Sequence, residues 1–146
     1  MRFMMLMIPG VYQGTSGQKT GPDFAPQKEA VEQMMKYNEQ LAKAGALISL
    51  DGLHPPATGA RISFKGGKPK VTDGPYAESK EVLGGYWIIQ AKSRQEAIEW
   101  AKRVPAEESD TIEVRQIFDW SDFPEEVRKA ADNPVVQAQL DKQKKS

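Results

Sequence analysis

Three observations in the sequence predict an α+β fold. Residues 3–8 form an unbroken apolar run closed by Pro9-Gly10, too short for a buried helix and therefore a strand. Two later stretches repeat apolar residues at helical spacing, and β-rich segments separate and follow them. Residues 11–26, with Gly and Pro breakers among polar side chains, read as a surface loop. The first helix is expected from Pro26, a favoured first-turn residue. Val31, Met34, Met35, Leu41 and Ala42 form its apolar stripe, and Gly45 stands where a C-terminal cap belongs.

Residues 46–53 are β-rich, and residues 61–65 alternate polar and apolar before Gly66-Gly67, the dipeptide of a primed hairpin turn. Residues 68–72 are the returning arm. The segment GGYWIIQA (84–91) is aromatic and β-branched, hence a strand. Ser93 followed by Glu96 is a capping box, and Ala97, Ile98, Ala101 and Val104 give a second helix that must stop at Pro105. TIEVRQIF (111–118) is the last strand. The order of strand, helix, strand, hairpin, strand, helix, strand is the split βαβ, ferredoxin-like plan with a hairpin insertion. Residues 1–121 make this domain. Residues 122–146 form a helical tail, in two pieces parted by Asn133-Pro134 and ending in a basic, disordered run at 142–145.

Two helices cover one face of such a sheet. The first strand, however, is apolar on both, with Phe3, Met5 and Met7 against Met4, Leu6 and Ile8, and residues 86–89 repeat the pattern. A second copy of the sheet is the expected cover, making the protein a homodimer.

A length of 146 residues suits one core, and the absence of Cys removes thiol nucleophiles, Cys-zinc sites, iron–sulfur clusters and disulfides. With one His, a two-imidazole metal site is excluded within one chain, so neither a metal nor a cofactor is expected. Twenty basic and twenty acidic side chains cancel, giving no field for nucleic acid or an anionic membrane. The N-terminal apolar run is too short for a spanning helix and lacks a small-residue cleavage site, so a cytoplasmic protein is expected. Gly66-Gly67 lacks the spacing of a phosphate-binding loop, and no Ser has a Gly-x-Ser-x-Gly context.

Chemistry is left to a few residues. Asp73-Gly74-Pro75-Tyr76 has the composition of a structural turn, yet Asp73 and Glu78 are two carboxylates close in sequence, the arrangement that supplies a general base or holds a ligand. His54 precedes Pro55-Pro56, which stiffens a strand exit and fixes the imidazole. Glu113 and Arg115 share one face of the last strand, opposite Ile112 and Val114. There Arg115 either clamps a carboxylate or neutralises Glu113.

Four ordered motifs, VTDGPYAESKE (71–81), GGYWII (84–89), EAIEWA (96–101) with Pro105, and IEVR (112–115), resemble the DGPF-domain branch of the YCII-related proteins. The resemblance spans residues 1–118, with Tyr76 where the family name has Phe. It implies a dimeric ferredoxin-like α+β barrel. For the wider group it implies a His on the first helix paired with an Asp, and in one relative the elimination of chloride from a muconate-type acid. Here the first helix offers Tyr37, Asn38, Glu39 and Gln40 instead, so a dyad has to be rebuilt from His54 and Asp73.

Two functions are therefore expected. In the first, a dimer cleft binds or transforms a small acidic molecule, with Asp73 as base, His54 as acid, and Arg115, Glu113, Glu78 and Tyr76 contacting the substrate. In the second, which the resemblance also implies, the protein is a non-catalytic module acting with an extracytoplasmic-function sigma factor.

Overall fold

The computed structural model describes residues 1–14, 20–76 and 81–146. Its main element is a four-stranded antiparallel sheet of β1 (Arg2–Ile8), β2 (Leu47–Gly52), β5 (Gly85–Gln90) and β6 (Thr111–Gln116), in the spatial order β2-β5-β1-β6. A separate two-stranded hairpin, β3 (Ala60–Ser63) and β4 (Lys70–Asp73), is inserted between β2 and β5. Helices α1 (Lys28–Lys43) and α2 (Arg94–Lys102) supply Tyr37, Leu41 and Ala97 to a core shared with Phe3, Met5, Trp87 and Ile89. The expected α+β class is what the chain adopts.

Alternation decides which residues enter that core. In β1 and β5 the residues facing the helices, Phe3, Met5, Trp87 and Ile89, are buried, and the intervening Met4, Leu6, Ile8, Tyr86 and Ile88 are only half-buried. Tyr37 meets Trp87 and Trp100 edge-on, with centroids 5.9 Å and 6.5 Å apart, and its hydroxyl donates to the Trp100 carbonyl at 2.8 Å.

The stripe of α1 differs from the expected one. Val31, Met35 and Ala42 are exposed, whereas Met34, Tyr37, Asn38 and Leu41 face the sheet at the same three-and-four spacing. Asn38 escapes an apolar count, but its Oδ1 accepts the Trp87 indole N–H at 2.8 Å, so both polar groups are buried with their bond made. Gly45 ends the turn after α1 at φ +69°, as expected of a cap.

Other expectations are corrected in detail. Ser63 pairs with Lys70, so the hairpin loop is the six residues 64–69 rather than a two-residue turn; Gly66 and Gly67 both lie at positive φ, +70° and +78°. Ser93 caps α2 by accepting from the Glu96 N–H at 3.1 Å, but the Glu96 carboxylate accepts from Lys92 N–H instead of closing the box on Ser93. The last strand stops at Gln116. The supposed loop begins with a 3₁₀ turn at Gly10–Tyr12, and Tyr12 and Thr20 are buried.

The tail is two helices parted at Asn133. Helix α3 (Glu125–Ala131) is followed by α4 (Pro134–Lys144), whose start is capped by Asn133 accepting from Val135 and Val136 N–H at 3.1 Å each. Helix α4 extends to Lys144, through most of the run expected to be disordered. Among the described residues no helix is long and apolar enough to cross a membrane.

Candidate functional site

The open face of the sheet is the surface with the richest combination of side chains. Because successive strand residues point to opposite faces, register fixes its membership. Met4 lies opposite Ile88 and Arg115, Leu6 opposite Tyr86 and Glu113, and Asp51 opposite Tyr86. The result is an apolar floor of Met4, Leu6, Ile8 and Ile88 with polar groups on both flanks.

On the β2 flank the Tyr86 hydroxyl donates to Asp51 Oδ2 at 2.8 Å. That hydrogen bond is the main reason the Tyr86 phenol is pushed above its ordinary pKa, with Ser49 pulling the other way. On the β6 flank Arg115 Nη1 stands 3.9 Å from Glu113 Oε2, too long for a hydrogen bond, and the Arg115 side chain is 74% exposed. Arg115 makes no closer polar contact among the described residues. It is a guanidinium beside apolar ground, held only loosely by its neighbour.

Glu113 and Arg115 thus share a face, as expected from their spacing, while Ile112 and Val114 pack against the core. His54 and Asp73 lie elsewhere, at the base of the inserted hairpin, and both are exposed. His54 leads into Pro55 and Pro56, which are buried. Asp73 ends β4 opposite Ala60, and the Gly74 N–H donates to the Gly59 carbonyl at 2.9 Å.

Gly74 has to be glycine, because a Cβ there would sit 1.7 Å from the Pro56 carbonyl oxygen. The Gly74-Pro75 bond is cis. Tyr76 carries the Arg61 guanidinium over its ring at 4.0 Å, and its hydroxyl reaches towards Gly59. The turn therefore packs onto the segment that follows His54. No hydrogen bond joins the Asp73 and His54 side chains, and Asp73 caps no backbone N–H among the described residues. Glu78 lies outside the described residues.

Sequence reasoning missed Asp51 as a site residue. Asp51-Gly52 looks like a turn, and its partner Tyr86 is 35 residues away, so only the strand register joins them. Gln13 was also missed, although its side chain amide ties the chain after β1 to Val82.

Two open cavities lie off this face. One of about 470 Å³ is lined by Trp120, Glu125, Arg128, Lys129, Asp132 and Gln137, and one of about 360 Å³ by Ile98, Ala101, Ile112 and Val114 with Arg94 and Lys102. Neither contains an expected site residue. A flat sheet face forms no concavity until something covers it, so cavity size is a poor guide here. Among the described residues no three His, Cys, Asp or Glu side chains gather as a metal site.

Residues 1–121 match the YCII-related domain family. An uncharacterised protein of Rhizobium meliloti (strain 1021) is 33% identical over 79 residues, which cover 51% of this chain and 64% of that protein.

Proposed function

Because the chain belongs to the YCII-related family, we propose that it is the DGPF-type member its motifs resemble. In this reading residues 1–121 are a ferredoxin-like split βαβ unit with a hairpin insertion, residues 122–146 are an appendage, and two copies pack open face to open face as a dimeric α+β barrel. The half-buried apolar row Met4, Leu6, Ile8 and Ile88 supports that packing, since water is a poor cover for it.

The cleft between the copies then binds a small acidic molecule. One observation carries this conclusion: Arg115 presents a loosely paired guanidinium beside the apolar floor. A carboxylate accepts two parallel N–H bonds from such a group, and covering the face strengthens them by excluding water. Tyr86 and Asp51 on the other flank, joined by the phenol O–H, offer a hydroxyl oxygen and a carboxylate as acceptors to donor groups on the rest of the ligand. In the lyase-like form of this reading Asp73 is the base and His54 the acid, with Tyr76 and Glu78 as substrate contacts. That assignment requires the hairpin base to face the ligand.

The test is a thermal-shift series with small mono- and dicarboxylic acids. A binder of the native state raises the melting temperature, and Arg115→Gln should lose that rise while melting at the wild-type temperature without ligand. If no acid shifts the wild type, the binding reading fails and the non-catalytic module acting with a sigma factor takes its place.

A further inference from the structure

Two exposed segments of opposite charge stand at opposite ends of the main sheet. The first is the inserted hairpin, all eight of whose strand residues are exposed. Residues 60–72 contain Arg61, Lys65, Lys68 and Lys70 and no acid. Arg61 is occupied by the Tyr76 ring, but the three lysines have no ion-pair partner among the described residues. On the other face of the hairpin Ile62 pairs with Val71, and Phe64 near the tip is 73% exposed.

The second segment is residues 118–127, where the chain leaves β6. It contains Asp119, Asp122, Glu125 and Glu126 and no base. Arg2 holds Asp119 through Nε and Nη2 at 3.1 Å and 3.0 Å, which anchors the root of the segment to β1. Glu125 has only the exposed Lys129 at 3.0 Å, a kind of pair that contributes little. Phe118 and Phe123 stack with centroids 4.8 Å apart, yet Phe118 is 70% and Trp120 54% exposed. A preassembled aromatic cluster left in water marks a contact surface.

The topology sets the two segments apart. Gly52, Gly85, Ile8 and Thr111 share the sheet end from which the hairpin emerges, whereas Arg2, Gln90 and Gln116 share the other. The seven residues of β1 separate the ends by roughly 20 Å at about 3.3 Å per residue. A two-fold axis lying in the open face and crossing the strands exchanges these ends. It brings the hairpin of each copy towards residues 118–127 of the other.

We propose that in the homodimer the basic hairpin of each protomer docks on the acidic aromatic segment 118–127 of its partner. This inference rests on the face-to-face dimer. Lys65, Lys68 and Lys70 meet Asp122, Glu125 and Glu126, and Phe64 packs on Phe118 and Trp120. The contact occurs twice, as an isologous interface requires.

The symmetry supplies the test. One full-length chain carries Lys65→Glu, Lys68→Glu and Lys70→Glu, and another carries Glu125→Lys and Glu126→Lys. Each alone opposes like charges at both contacts, so its dimer Kd by sedimentation should rise about tenfold or more. Mixed together, the two chains match opposite charges at both contacts, and a heterodimer of near wild-type affinity should form.

Dimers indifferent to either reversal would overturn the docking while leaving the sheet-face dimer standing. So would rescue confined to one chain carrying both reversals, because that result places the contact within a protomer. A wild-type protein that is monomeric throughout removes both readings.

Discussion

Gln13 grips both backbone groups of Val82. Its Oε1 accepts the Val82 N–H at 2.8 Å, and its Nε2 donates to the Val82 carbonyl at 2.8 Å and to the Pro9 carbonyl at 2.7 Å. Val82 is buried, so its peptide groups have no water to fall back on. Around this clamp Gly84 N–H donates to Met7, Leu53 N–H to Gly84, and the Tyr12 hydroxyl to the Leu53 carbonyl. The clamp therefore secures the strand exit that leads to His54. Gln13→Ala should cost about 2–3 kcal/mol in urea unfolding by leaving two backbone groups unpaired.

The pair Asn38 and Trp87 is tested in the same way. Asn38→Leu orphans the indole N–H inside the core and should destabilise by about 1–3 kcal/mol. Adding Trp87→Phe removes the orphan, so the double variant should lose clearly less than the sum of the two single losses. Strict additivity in the denaturation cycle would mean the bond contributes nothing.

How far the sequence carried the fold is visible at these two positions. The strands came from short apolar runs and from aromatic and β-branched composition, and β1 and β5 lie within a residue or two of the expected runs. The face of α1 was misjudged because burial there is decided by a polar pair that spans 49 residues, and a single-residue polarity scale sees only the Asn. The hairpin's existence was legible from one alternating arm followed by Gly66-Gly67. Its loop length was not, since a Gly-Gly dipeptide supplies positive φ to a six-residue loop as readily as to a tight turn.

For the candidate site, Glu113 and Arg115 needed only the two-residue period of one strand. Asp51 and Tyr86 needed the register between two strands, which no local pattern encodes.

Face-to-face dimerisation predicts a clean separation of assembly from folding. Leu6 is half-buried on the open face, so Leu6→Arg should leave the monomer folded while placing a charge at the centre of the interface. Light scattering should then give 16.2 kDa for the variant and twice that for the wild type.

Alkaline pH should weaken the fold through Tyr37. Burial pushes its phenol up to about 12 from an ordinary 10, with the Arg103 charge pulling modestly the other way. The folded state thus holds this proton more tightly than the unfolded state. Its contribution is complete below pH 10, where both states are protonated, and is lost as pH rises from 10 to 12. Stability measured across that window should fall with pH. The fall should be shallower in Tyr37→Phe, which starts from a lower level because the bond to the Trp100 carbonyl is missing.

The central place of β1 governs how the chain has to fold. Residues 2–8 pair on one side with 85–90 and on the other with 111–116, so every bond of this strand closes a loop of roughly 80 residues or more. Such high contact order slows folding. During synthesis β1 is made before both of its partners, and its pairing is complete only when β6 has left the ribosome. The stretch FMMLMI is therefore the segment of the nascent chain most exposed to misassociation, and the one a chaperone has most reason to hold.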